Sequence, residues 1–394
     1  MKRTILIVLD GVGIGEMPDA HKYNDCGSNT LCNTARMSGG LKLNSLSRLG
    51  IANIAKDLGY DLYGVSPMDK TIGYYGAMME HSSGKDTMTG HFEIIGIVNE
   101  DAMPTYPDGF PKELISKIEE AIGTTVISLG PSSGTEVIKL FGEQHLSTKR
   151  PIIYTSADSV LQVAAHEDII SRDQLYSMCR IIRNIMTDKN GVGRVIARPF
   201  SGIPGHFYRT DGRHDYGLKP RCPNLLTILK DSQLEVMACG KIDDIFSMCG
   251  ITSSDHTTDN DRIFDSMLNY MKEEKNGLIF VNLIDFDQKY GHRNDVFGFA
   301  KALESFDLKL PSLFKIMTED DLLIITADHG NDPTTLSTDH SREYVPLMVY
   351  SKKFKESGSL GIRSTFADVG ATIADFFSVP WNIKYGTSFL NNMI

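Results

Sequence analysis

Three aspartates stand at the ends of apolar runs, and two of them have histidines close behind. The runs are residues 4–9 before Asp10, residues 278–284 before Asp285 and Asp287 with His292 following, and residues 322–326 before Asp328 and His329. Asp339 and His340 come a few positions later. Alone, a strand-terminal aspartate is more often a helix cap or turn residue than a metal ligand. Together, mixed oxygen and nitrogen donors suit zinc or manganese, whereas magnesium and calcium take oxygen almost exclusively. Several carboxylates plus three histidines exceed the needs of one ion. A pair of ions roughly 3.5–4 Å apart would use them, clamping the attacking and leaving oxygens of a phosphoryl displacement.

A second group lies at residues 82–93, where Gly84, Lys85, Thr87 and Thr89 run into an expected helix start. Free N–H groups and the helix dipole favour an anion there. A threonine hydroxyl becomes a nucleophile once a metal or a base activates it. Taken alone, Thr87 or Thr89 reads more simply as the helix cap. Arg194, Arg198, Arg209, Arg213, His214, Lys219 and Arg221 form a basic cluster in an acidic chain, with Lys241 apart from them. Guanidinium groups grip phosphate oxygens in pairs, although a charge run is usually a solvated face. Gly11, Gly13 and Gly15 invite a dinucleotide-binding reading, but the spacing is wrong and Pro18 breaks the helix that should receive a pyrophosphate. A flexible turn presenting Asp10 is the better reading. The histidines at 21, 81, 91, 145, 166, 206 and 256 read as surface or satisfied core residues.

The elements that must position these groups follow from the apolar runs. Short, β-branched, nearly continuous runs are strands covered on both faces, as in a parallel sheet, whose ligands sit beyond the carboxyl ends. Strand-end candidates occur at the N-terminus and again only after residue 280, so the sheet is assembled from both ends of the chain around an insertion. Residues 99–221 fit that insertion. They contain an expected helix at 110–122 with Pro111 in its first turn, strands at 150–156 and 193–198, and a helix at 172–186 between them. Gly and Pro cluster at 201–205 and 219–223, marking turns and the return to the core. The expected organisation is a metal-binding core of residues 1–98 and 222–394 with a cap of residues 99–221.

A chain of 394 residues exceeds most single cores, which agrees with two domains. A net charge of −10 argues against a nucleic-acid surface over the whole molecule. No apolar run approaches the roughly 20 residues that span a bilayer, and Asp10 interrupts any signal-peptide core. The six cysteines are scattered without a C-x-x-C pair, as expected of reduced thiols, and a cytoplasmic location is expected.

The ordered set, with its Leu9-Asp-Gly-Val-Gly-Ile-Gly-Glu16, Gly84-Lys-Asp-Thr-Met-Thr-Gly-His91, Tyr154-Thr-Ser-Ala-Asp-Ser159, Thr326-Ala-Asp-His-Gly-Asn-Asp332 and Thr338-Asp-His340 blocks, resembles the prokaryotic phosphopentomutases of the alkaline phosphatase superfamily over nearly its whole length. The resemblance implies an α/β core with a mostly parallel sheet flanked by helices and a smaller inserted α+β cap domain. It implies interconversion of ribose 1-phosphate and ribose 5-phosphate, and of the deoxyribose pair, through a phosphothreonine and a bisphosphate intermediate. Asp10, Asp328 and His329 match the ligands of one manganese ion, and Asp287, His292 and His340 those of a second. Thr87 matches the phosphorylated residue. Arg194, Arg209 and Lys241 match phosphate-binding positions, and Ser156 and Asp158 fall in the block that faces the sugar. Glucose 1,6-bisphosphate or a similar sugar bisphosphate is the implied activator. The implied partners are small pentose phosphates, without nucleic acid or membrane, for a monomeric protein. A cofactor-independent phosphoglycerate mutase would carry serine at position 87, and a secreted phosphomonoesterase an export signal.

Overall fold

The computed structural model describes residues 1–156, 159–187 and 190–393. In chain order its strands are β1 (Arg3–Leu9), β2 (Tyr74–Met78), β3 (Ile127–Pro131), β4 (Ile152–Thr155), β5 (Val160–His166), β6 (Arg194–Ile203), β7 (His206–Arg209), β8 (His214–Gly217), β9 (Glu235–Cys239), β10 (Ser253–Asp255), β11 (Gly277–Leu283), β12 (Asp321–Thr326), β13 (Val345–Tyr350) and β14 (Gly358–Arg363). They form two compact units, residues 1–101 with 220–394 and residues 102–219.

The larger unit carries an eight-stranded sheet in the order β10-β9-β11-β1-β12-β13-β2-β14. Strand β1 is central because every residue in it is buried, so neither face can meet water. It pairs in parallel with β11 and β12, with Leu9 opposite Leu283 and Val8 opposite Thr326. Three adjacent strands therefore end at one level. The sheet is not parallel throughout: β13 runs antiparallel to both β12 and β2.

The smaller unit is a six-stranded mixed sheet, β3-β4-β5-β6-β7 with β8 beside β6. Successive side chains of a strand face opposite sides. Ile153, Leu161, Val163 and Val195 accordingly meet Leu114, Ile118, Leu175 and Ile182 from two helices, while Ile152, Tyr154 and Ala164 meet Val137 and Ile138 from a third. Ser171 and Gln174 form a capping box at the start of the Arg172–Ile185 helix. Pro111 stands at the N-cap of the Lys112–Ile122 helix, one position outside its expected first turn. Among the described residues no helix is long and apolar enough to cross a membrane.

Candidate active site

Asp10 directly follows β1, Asp328 lies two residues beyond β12, and Asp287 sits on the π-helical turn Phe286–Tyr290 beyond β11. Because the three strands end level, their carboxylates meet at one edge. Gly11 makes the turn possible. Its φ is +76°, and a Cβ there would fall 3.1 Å from Asn331 Cβ and 3.3 Å from Asp287 Cβ. No helix opens among residues 11–19, so the glycine run presents Asp10 and offers no helix N-terminus to a pyrophosphate.

The histidines arrive by a different route. Gly330 and Ser341 exchange backbone hydrogen bonds, which lays His340 beside His329 with ring centroids 4.1 Å apart. His292 donates from Nδ1 to the Thr338 carbonyl at 2.6 Å and His329 from Nδ1 to Gly330 at 3.0 Å. A carbonyl only accepts, so both rings keep Nε2 for the carboxylates. His292 Nε2 is 3.2 Å from Asp287 Oδ2, and His340 Nε2 is 3.5 Å from Asp287 Oδ1. His329 Nε2 is 3.4 Å from Asp10 Oδ1 and 3.3 Å from Asp328 Oδ2. Two ligand groups result, Asp10 with Asp328 and His329, and Asp287 with His329 and His340. His329 thus stands between them.

Neutral donors fix one oxygen of each carboxylate. Asn282 binds Asp10 Oδ2 at 2.9 Å, the Gly11 N–H binds Asp328 Oδ1 at 3.1 Å, and Asn331 binds Asp287 Oδ1 at 2.7 Å. The remaining oxygens of Asp10 and Asp328 are buried and accept no hydrogen bond. Burial and the neighbouring Asp328 raise the pKa of Asp10. Burial opposes ionisation of Asp287 too, but His340 and His292 hold its pKa well below the usual carboxylate value. Burial disfavours charge on His329, yet Asp328 and Asp10 outweigh it and hold that imidazole well above its usual value. Orphaned, crowded carboxylate oxygens facing imidazole nitrogens fit divalent cations in chemistry and number.

Thr87 is the first residue of the Thr87–Ile94 helix, and its Oγ1 lies 3.0 Å from His329 Nε2. Neither threonine is the cap. Asp86 is, accepting from the N–H groups of Met88 and Thr89 at 3.1 and 3.2 Å. Those amides are therefore not free for an anion, contrary to expectation, and the Thr87 hydroxyl is released from capping to face the metal-type residues. A Cβ on Gly90 would fall 2.1 Å from the Asp328 carbonyl oxygen, so glycine lets this helix touch the end of β12.

Of the other expected residues, Arg194 and Arg209 are exposed in the smaller unit, with Arg194 3.6 Å from Asp215. Ser156 follows β4 and is half-buried, Lys241 donates to Gln288, and Asp158 lies outside the described residues. Sequence reasoning missed several buried polar residues. Arg342 binds Glu80 and the carbonyls of Ser82 and Gly84, at 2.7, 2.8 and 2.6 Å, and so holds the loop leading to Thr87. Glu93 accepts from the amides of His81 and Ser82 at 2.8 and 2.6 Å on the same loop. Glu343 accepts from Thr30 and Ser341, and burial followed by Asp332 pushes its carboxyl up to about 7. His145 and His166 are satisfied core residues, as expected, whereas His91 is buried against Asp328.

A family model described as the Metalloenzyme superfamily matches residues 2–380. A phosphopentomutase from Dictyoglomus thermophilum is 54% identical over 393 residues, covering 100% of this chain and 99% of the relative. One from Acetivibrio thermocellus is 51% identical, with 100% of each chain covered. The fold is also similar to that of a Leishmania mexicana phosphoglycerate mutase, with a TM-score of 0.50 at 12% identity over 98% of this chain and 97% of that one. The orphaned carboxylates beside Thr87 and the full-length identity agree, and the chain belongs to the phosphopentomutase family within the metalloenzyme superfamily.

Proposed function

We propose that the chain interconverts ribose 1-phosphate and ribose 5-phosphate, and the deoxyribose pair, with Thr87 as the phosphoryl carrier. The observation that carries this reading is the Thr87 hydroxyl 3.0 Å from His329 Nε2, at the edge where the carboxylates converge. In the proposed cycle phospho-Thr87 gives its group to the free hydroxyl of a pentose monophosphate. The bisphosphate formed then returns its other phosphoryl group to Thr87 Oγ, so phosphate is conserved. Asp10, Asp328 and His329 would hold one divalent ion and Asp287, His292 and His340 the other, with His329 near both. Such ions supply neutralisation of the transferring group and acidify a coordinated hydroxyl. Manganese is the proposed metal, and a sugar bisphosphate such as glucose 1,6-bisphosphate the primer that loads Thr87.

The chain's own residues orient the transfer. Asp86 frees the Thr87 side chain by capping the helix itself, while Arg342 and Glu93 hold the preceding loop still. Arg194, Arg209 and Lys241 are proposed to grip the phosphate that is not reacting, and Ser156 and Asp158 to meet the sugar. The test is to follow ribose 1-phosphate formation by NMR with manganese, primer and ribose 5-phosphate, beside Thr87→Ala. The variant is expected to lose interconversion while keeping its metals. Wild-type turnover in the variant rejects Thr87 as the carrier, and release of free phosphate in place of isomer rejects the mutase.

A further inference from the structure

We propose that His91 is a positioning residue that sets the distance between Thr87 and the Asp328 carboxylate, its Nδ1 bonded to the one and in ion-pair contact with the other. The inference deepens the mutase reading and rests on it. His91 lies one helical turn after Thr87 and has no exposed surface. Its Nδ1 is 2.9 Å from the Thr87 carbonyl oxygen and 3.1 Å from Asp328 Oδ2. A carbonyl oxygen only accepts, so in either charge state Nδ1 carries a proton, which bonds the Thr87 carbonyl while the nitrogen stays within ion-pair distance of Asp328 Oδ2.

The rest of the ring has no polar engagement. Nε2 is buried without a hydrogen bond, and the ring stacks on Phe280 at 6.0 Å and meets Phe246 at 6.2 Å. The polar contacts of the His91 ring are therefore to the phosphoacceptor residue and one metal-type carboxylate. Oδ1 of that carboxylate is already held by the Gly11 amide, so the turn after β1 fixes one oxygen of Asp328 and His91 addresses the other. The preceding residue acts in the same direction. At Gly90 the helix backbone rests against the backbone of Asp328, where a Cβ would fall 2.1 Å from its carbonyl oxygen. Gly90 through its backbone and His91 through its side chain dock the first turns of the helix on the end of β12, and Thr87 is carried with them. Group transfer is sensitive to displacements of a fraction of an ångström, which gives such a link its value.

The test uses the full-length protein with manganese. His91→Phe keeps an aromatic ring between Phe280 and Phe246 and deletes the donor. His91→Asn returns an amide N–H near the Nδ1 position, and His91→Gln places it near Nε2 instead. His91→Phe and His91→Gln are expected to lower kcat about 10- to 100-fold, the usual range for loss of a ligand's hydrogen-bond partner. KM for ribose 5-phosphate and the Tm should stay near wild type, one of the two manganese ions should bind more weakly, and His91→Asn should recover most of kcat. Wild-type kcat and metal binding in His91→Phe, or equal losses in Asn and Gln accompanied by a lower Tm, overturn the proposal. Absent interconversion in the wild-type protein rejects the mutase reading instead, and the manganese titrations of the three variants still decide the link to Asp328. Should His91→Phe fail to fold, the contrast between Asn and Gln decides it.

Discussion

Strands β1 and β12 run side by side along their length, and the charges at their two ends are handled in opposite ways. At the starting edge, Arg3 and Asp321 form a buried two-point pair, Nε to Oδ1 and Nη2 to Oδ2, both at 2.8 Å. Asp321 Oδ2 also accepts from the Thr318 amide at 2.7 Å, and Arg3 Nη1 reaches the Met271 carbonyl. At the finishing edge, Asp10 and Asp328 are as deeply buried, yet each keeps an oxygen without a hydrogen bond. One edge closes its charges within the chain. The other leaves negative charge that a cation must complete, and it is there that Thr87 sits.

The contrast can be broken from either end. The largest stability loss is expected from Asp321→Asn, which strands the Arg3 charge in the interior and should cost about 3–5 kcal/mol in chemical denaturation. Activity of the protein that remains folded should be unchanged. Asp328→Asn should act mainly on function, lowering kcat by about 10²–10³-fold while costing the metal-free protein less stability than Asp321→Asn does. Loss of stability comparable to that of Asp321→Asn would show that the finishing edge is a structural pair after all. Chelation should lower the Tm of the wild-type protein, because ions that bind only the folded state stabilise it by mass action. It should lower the Tm of Asp328→Asn less, and calorimetry with and without manganese measures the difference.

A smaller effect is expected from pH. The Glu343 carboxyl, with an ordinary value of 4.5, is pushed up to about 7. Between those values the folded protein holds a proton that the unfolded chain has released, so stability should fall as pH rises through the interval. Glu343→Gln should flatten that fall in urea titrations between about pH 5 and about pH 8. An unchanged slope would mean that the groups responsible lie elsewhere.

What was legible before folding was whatever depended on neighbours along the chain. The runs ending before Asp10, Asp285 and Asp328 announce fully buried strands because continuous apolar residues leave no face for water. The Arg172–Ile185 helix is legible from Leu175, Cys179 and Ile182 at helical spacing. The capping of Thr87 was misread although the signal was present, since Asp86 precedes it and aspartate caps better than threonine. His91, Glu93, Arg342 and Glu343 were passed over because charged and polar side chains are usually exposed, and only their distant partners make burial tolerable. The antiparallel place of β13 between β12 and β2 likewise has no local mark.

From its sequence alone this chain determined which segments would be buried strands, that carboxylates and imidazoles would follow them, and that a Lys-Asp-Thr helix start lay among them. Tertiary structure decided that Leu9, Leu283 and Thr326 end level, that Gly330 and Ser341 bring His340 to His329, and that Asp86 leaves the Thr87 hydroxyl to face them. The physical reason is that burial pattern and propensity act over a few residues. Strand register, the closure of a loop and the cost of an orphaned carboxylate exist only once residues hundreds of positions apart are in contact.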